Sequence, residues 1–138
     1  EFPRHHPRHE GRPHRYSYFN TKHRLGTLYD AVTRLDLADH TETHYVAETP
    51  GNSFCEPVFA PRPGGVDEDD GWLLSVEYQA DAHTSRLVIL DARDPSRGPL
   101  ATAALSHHVP QGFHGNFVAA SSRQESPEKP SSHASSSR

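Results

Sequence analysis

The sequence predicts an all-β fold of sandwich, barrel or propeller type, on three observations. Residues 72–78 alternate strictly, with Trp72, Leu74, Val76 and Tyr78 on one face and Leu73, Ser75 and Glu77 on the other. A run that is apolar on both faces, Arg86 to Leu90, follows after a polar turn and suits a strand inside a layered structure. Turn signals recur about every ten residues, dividing the chain into some seven to nine short strands.

Taken in order, Pro3 to Pro13 is rich in Pro, Arg and His without an apolar period, and reads as an exposed connection. Arg15 to Phe19 alternates as a short strand, with Tyr16 and Tyr18 on one face. Leu28 to Leu37 fits both periods: Leu28, Val32 and Leu35 at helical spacing, and Ala31, Thr33, Leu35 and Leu37 at spacing two. It is taken as a strand because Thr43 to Glu48 follows at hairpin distance. Phe54 to Ala60 is a strand with Phe54, Glu56, Val58 and Ala60 on one face. Gln79 to Ser85 is the polar turn, Leu100 to Leu105 a strand of small residues, and Phe113 to Ala119 the last strand. In 121–138, 8 residues are Ser and Ala134 is the one apolar residue, so this tail is expected to be disordered.

Composition narrows the function. The 138-residue chain is 33% apolar, and even with its nine glycines it stays below the roughly 45–50% of a globular domain. A thin core, a first residue Glu1 and no Met at all suggest a piece of a longer protein. A formal charge of −4 without a basic stripe disfavours nucleic acid and anionic lipid. The single Cys55 excludes an internal disulfide, and no apolar stretch reaches the ~18 residues of a membrane span. Cellular location is unknown, with the cytoplasm as the default.

Four groups could carry chemistry. His114 stands between Gly112 and Gly115 in an apolar segment; a neutral imidazole there suits iron, although a satisfied core or surface His is the commoner case. Glu56 lies among apolar neighbours, so it has a partner or faces solvent. The 67–70 acidic run fails as an EF-hand loop, since Trp72 and Tyr78 stand where Gly and Glu are needed, and reads as a solvated turn. His5, His6, His9 and His14 form a cluster of the kind that binds zinc or nickel, but Pro3, Pro7 and Pro13 oppose the helix that would align them, and they read as surface residues, like His107 and His108.

The order of Phe54-Cys55-Glu56-Pro57-Val58-Phe59, the acidic turn before Trp72, the Leu87 to Arg93 strand and Gly112-Phe113-His114-Gly115 resembles the C-terminal part of the carotenoid cleavage oxygenases, the family that includes the lignostilbene dioxygenases. The Pro7 to Tyr16 segment matches it at Arg8, Gly11, Arg12, Pro13, Arg15 and Tyr16. The resemblance implies the C-terminal blades of a seven-bladed β-propeller over residues 1–120, followed by the disordered tail 121–138. It implies a non-haem Fe(II) dioxygenase that cleaves a conjugated C=C bond of a carotenoid, apocarotenoid or stilbene with O2. On the family's motifs His114 is the last of four His ligands to Fe2+. Glu56, and Glu1 in Glu1-Phe2-Pro3-Arg4, are carboxylates that hold the ligand histidines.

The resemblance also implies that this segment alone is inactive, because the other three ligands are not in it. Cys55 departs from the small residue usual there, and the Ser-rich extension is unusual. Membrane association of the intact enzyme stays open. Two alternatives stand beside this reading: a non-catalytic His-rich β module binding divalent metal through 5–14, and the remnant of a degenerate dioxygenase gene.

Overall fold

The alternation at 72–78 forms the longest strand among the described residues. The computed structural model describes residues 3–26, 28–112 and 114–120. Eight strands run in order: β1 (Tyr16–Thr21), β2 (Ala31–Asp36), β3 (Thr41–Val46), β4 (Ser53–Phe54), β5 (Val58–Pro61), β6 (Gly71–Gln79), β7 (Thr84–Asp91) and β8 (Ala101–Ala104). The helical turns among the described residues are two short 3-10 turns, Pro7–His9 and Pro95–Arg97. No described helix is long and apolar enough to cross a membrane.

The strands form two antiparallel meanders. The first sheet has the order β1-β2-β3, and Arg4 adds a single bridge to β1 at Tyr18. The second has the order β4-β6-β7-β8, with β5 continuing the β4 side of β6. The ambiguous 28–37 segment is strand over Ala31–Asp36, where Val32 pairs with both Asn20 and Tyr45 and faces inward between them.

The sheets pack face to face. Tyr18, Val32, Tyr45 and Ala47 of the first meet Phe54, Phe59, Leu73, Val88 and Leu90 of the second. Two aromatic pairs cross the interface, Tyr18 on Phe59 with ring centroids 5.4 Å apart and Tyr45 on Phe54 at 5.7 Å. Such pairs contribute about 0.5–1.5 kcal/mol beyond the area they bury. Gly71 is required at the start of β6, since a Cβ there would stand 2.6 Å from both the Ala60 carbonyl and the Phe59 ring.

In β6 the more polar face is the interior one. Leu73, Ser75 and Glu77 are buried, while Trp72, Leu74, Val76 and Tyr78 are half-buried. A buried carboxylate is tolerated only when it is paired and hydrogen-bonded. Glu77 is, accepting from Asn52 Nδ2 at 2.8 Å and from Arg86 Nε, its cross-strand neighbour on β7, at 2.6 Å. The opposite face of this sheet, at Leu74, Val76 and Leu87, lines a groove partly covered by Val109, Pro110 and Phe117.

The acidic run is not a solvated turn but a junction. Glu68 accepts from the main-chain N–H groups of Arg15 and Tyr16 at 2.7 and 2.8 Å. Asp69 pairs with Arg34, Asp70 with Arg62, and Asp67 with Arg93. Arg34 also lies over the Tyr16 ring, 4.0 Å from its centroid. This short loop thereby fastens the start of β1 and the middle of β2 to the second sheet.

Two further expectations are corrected. Phe113 lies outside the described residues, and 114–120 form no strand, because no neighbouring strand pairs with them among the described residues. The Pro3 to Pro13 connection is not uniformly exposed: His6 is 7% exposed and packs on Phe59 at 5.0 Å. His107 and His108 are exposed. Glu1 and the tail 121–138 lie outside the described residues.

Candidate metal centre

The strand expected from Phe54 to Ala60 is broken in the middle, and the break builds the site. Ser53 and Phe54 pair with Tyr78 and Glu77, and Cys55 N–H continues that register to the Val76 carbonyl at 2.8 Å. From Val58 onward the pairing with β6 has slipped, with Val58 opposite Leu74 and Phe59 opposite Leu73. Glu56 and Pro57 together therefore oppose Ser75, which is a β-bulge. Pro57 has no N–H to offer the ladder, so it is suited to the unpaired position. Ser75 Oγ closes the bulge by donating to the Cys55 carbonyl at 2.6 Å.

The bulge changes which residues share a face. Phe54, Glu56, Val58 and Ala60 do not form one face: Phe54 and Phe59 are on the core side, and Val58 and Ala60 are on the other. Glu56, released from the ladder, turns toward a cleft of about 770 Å³ bordered by Arg4, His5, Glu56, Phe59, His114 and Gly115.

Glu56 is 7% exposed and has the partners that a buried carboxylate needs. Oε1 accepts from Arg4 Nε, and Oε2 lies 3.2 Å from His114 Nδ1. With the carboxylate ionised and the imidazole neutral, this contact puts the proton on Nδ1 and leaves Nε2 its lone pair. That is the tautomer of a metal-ligating histidine, and an acidic partner on the other nitrogen fixes both the tautomer and the ring direction. The His114 side chain is 70% exposed and borders the cleft.

The segment that carries His114 is held along its length. Val109 N–H donates to Ser85 Oγ at 3.0 Å, Gln111 Nε2 donates to Ser53 Oγ at 2.8 Å, and Arg4 Nη2 donates to the Gly115 carbonyl at 2.8 Å. Arg4 is the participant that motif reading missed. It stands three residues after Glu1 in the same Glu-Phe-Pro-Arg stretch, and the lone carboxylate of Glu56 among apolar neighbours was the signal that a cation must come from elsewhere.

The histidines of the amino-terminal stretch do not converge on a common point. His5 stacks on His14 at 4.5 Å. His6 Nδ1 accepts from Arg8 N–H, His9 Nδ1 lies 3.0 Å from the Pro13 carbonyl, and His14 Nε2 lies 3.0 Å from Ser17 Oγ. Burial, with Arg8 and His9 nearby, lowers the His6 pKa from its ordinary value. Among the described residues no group of three His, Cys, Asp or Glu side chains could hold a metal ion. The imidazole at His114 with its carboxylate fits one ligand of a shared metal site and not a complete one.

The family model described as Retinal pigment epithelial membrane protein matches residues 1–119. The chain is 46% identical over 120 residues to the apocarotenoid-15,15'-oxygenase of Synechocystis sp., covering 86% of this chain and 24% of that protein. It is 36% identical over 115 residues to the torulene dioxygenase of Fusarium fujikuroi, covering 83% of this chain and 19% of that protein. Among solved structures it matches cobalt-substituted Synechocystis ACO with a TM-score of 0.81 at 45% identity, covering 87% of this chain and 25% of that one. An ACO/RPE65 chimera gives 0.81 at 39% identity, with the same coverage. The chain spans about a quarter or less of the length of these relatives.

Proposed function

Because the chain belongs to the carotenoid oxygenase family, the family of the retinal pigment epithelial membrane protein, we propose that it works as the C-terminal blades of a β-propeller enzyme that oxidatively cleaves a conjugated C=C bond. In this reading residues 1–120 are the propeller segment and 121–138 a Ser-rich extension. The names of the relatives favour a carotenoid or apocarotenoid over a stilbene as the substrate.

The observation that carries the proposal is the Glu56 to His114 contact. His114 would hold Fe2+ through Nε2, alongside three histidines from the rest of the enzyme. When bound, ferrous iron supplies the activation of O2, whose two oxygen atoms end in the two carbonyl products of the cleaved alkene. The chain's own part is preparatory. Glu56 keeps the Nδ1 proton in place, so that the imidazole presents a lone pair at a fixed angle. The bulge at Glu56-Pro57 aims the carboxylate, and the hydrogen bonds of Ser85, Ser53 and Arg4 hold Val109, Gln111 and Gly115 in place. Glu1 remains proposed as a second carboxylate partner on the family motif.

Iron content of the full-length enzyme tests this. His114→Ala is expected to lose bound iron and alkene cleavage together, and Glu56→Gln to weaken iron binding about 10–100-fold. A His114→Ala enzyme with unchanged iron content overturns the proposal.

A further inference from the structure

We propose that Arg4 is a positioning residue for the metal site, acting through Glu56 and the His114 backbone and not on metal or substrate. The inference rests on the reading of His114 as an iron ligand. Three contacts carry it. Arg4 Nε donates to Glu56 Oε1, on the carboxylate whose other oxygen meets His114. Arg4 Nη2 donates to the carbonyl of Gly115, the residue that follows His114. The Arg4 main chain exchanges two hydrogen bonds of 2.7 Å with Tyr18, which is fully buried in the core.

One guanidinium thus holds both the group that orients the imidazole and the backbone that bears it. The line of contacts runs from the core through Tyr18, Arg4 and Glu56 to His114. A planar fork with diverging N–H groups serves two acceptors in fixed directions, which a lysine ammonium does less well. The Glu56 side chain is 4% exposed and that of Arg4 33%, so the carboxylate is shielded while its cation is partly wet. Removing the cation leaves a buried charge facing the imidazole without its guanidinium, so both the carboxylate and the ring lose their fixed direction.

The test is iron affinity by chelator competition in the full-length enzyme, together with thermal unfolding. Arg4→Met is expected to weaken iron binding about tenfold, and Arg4→Lys to recover part of the loss. In a Glu56→Gln background, Arg4→Met is expected to weaken iron binding by clearly less than about tenfold, the remaining loss being the part that acts through the Gly115 carbonyl. Wild-type iron affinity in a folded Arg4→Met enzyme overturns the inference, as does an effect fully additive with Glu56→Gln. If Arg4→Met does not fold, Arg4→Lys decides: a loss smaller than that of Glu56→Gln supports the inference, and no loss overturns it. His114→Ala separates the two readings. If it keeps its iron, the metal-ligand reading fails; if it loses iron while Arg4→Met does not, the inference about Arg4 alone fails.

Discussion

Phe54 and Phe59 stand five residues apart, yet both point into the space between the sheets, facing Tyr45 and Tyr18 respectively. An odd spacing on one face requires an extra residue in the strand, and the Glu56-Pro57 bulge supplies it. Deleting Pro57 makes the spacing even, so that strict alternation without a bulge leaves Phe59 inward and Val58 outward but returns Glu56 to the ladder opposite Ser75, on the core side. The expected result is full-length protein that stays soluble but loses the Glu56 to His114 contact and with it bound iron. Pro57→Ala keeps the residue count and is expected to stay soluble with stability lower by about 1 kcal/mol. Comparing the iron content of the two variants separates residue number from proline chemistry.

Arg34 and Arg93 both pair with the 67–70 loop but in different surroundings. The Arg34 and Asp69 side chains are 12% and 14% exposed, whereas those of Arg93 and Asp67 are 48% and 65% exposed. Asp69→Ala leaves a mostly buried guanidinium over the Tyr16 ring without its carboxylate, at an expected cost of about 3 kcal/mol. Asp67→Ala is expected to cost less than about 1 kcal/mol. Denaturant unfolding of both variants checks the order, which reverses if the pairs act by charge count and not by burial.

His44 and His6 predict an acid-side loss of stability. The pKa of each is lowered from its ordinary value chiefly by burial, with His23 nearby for His44 and Arg8 for His6. Above about pH 6.5 both are neutral in the folded and unfolded chains, and neither affects the balance. Below that pH the unfolded chain takes up protons that the fold refuses, so stability falls until the lowered folded values are reached. His6 also loses the lone pair that accepts from Arg8 N–H. A His6→Gln, His44→Gln variant is expected to show a shallower fall in melting temperature between pH 7.5 and 5.5 than the unaltered protein, and an equal fall would refute the assignment.

Much of the fold was readable as periodicity. Trp72 to Tyr78, the turn before Ser85 and the strand at Tyr16 to Phe19 follow the alternation of their side chains, because a strand paired on both sides repeats every two residues. The faces of 54–60 were not readable, since alternation gives the wrong parity once the chain bulges, and a bulge leaves little trace beyond a proline. Nor was the inward side of β6, where the interior selects Ser75 and Glu77 for their hydrogen bonds over the more apolar Leu74 and Val76. The 114–120 segment has strand-like residues but no strand pairs with it among the described residues, and pairing decides a strand. At the site, His114 and Glu56 were visible as motifs. Arg4 was not, because its importance lies in two contacts that are 52 and 111 residues distant in sequence.

Those separations give the centre an order of assembly. Glu56 follows Arg4 by 52 residues and precedes His114 by 58. On a ribosome the carboxylate therefore meets its guanidinium while the imidazole is still unmade, as amino-terminal parts fold first during synthesis. The histidine arrives at an anchor already fixed to the core, so its last stretch of chain docks onto a finished receptor. Errors in that final docking would yield a folded but metal-poor enzyme, a failure that a solubility screen would pass and a metal assay would catch.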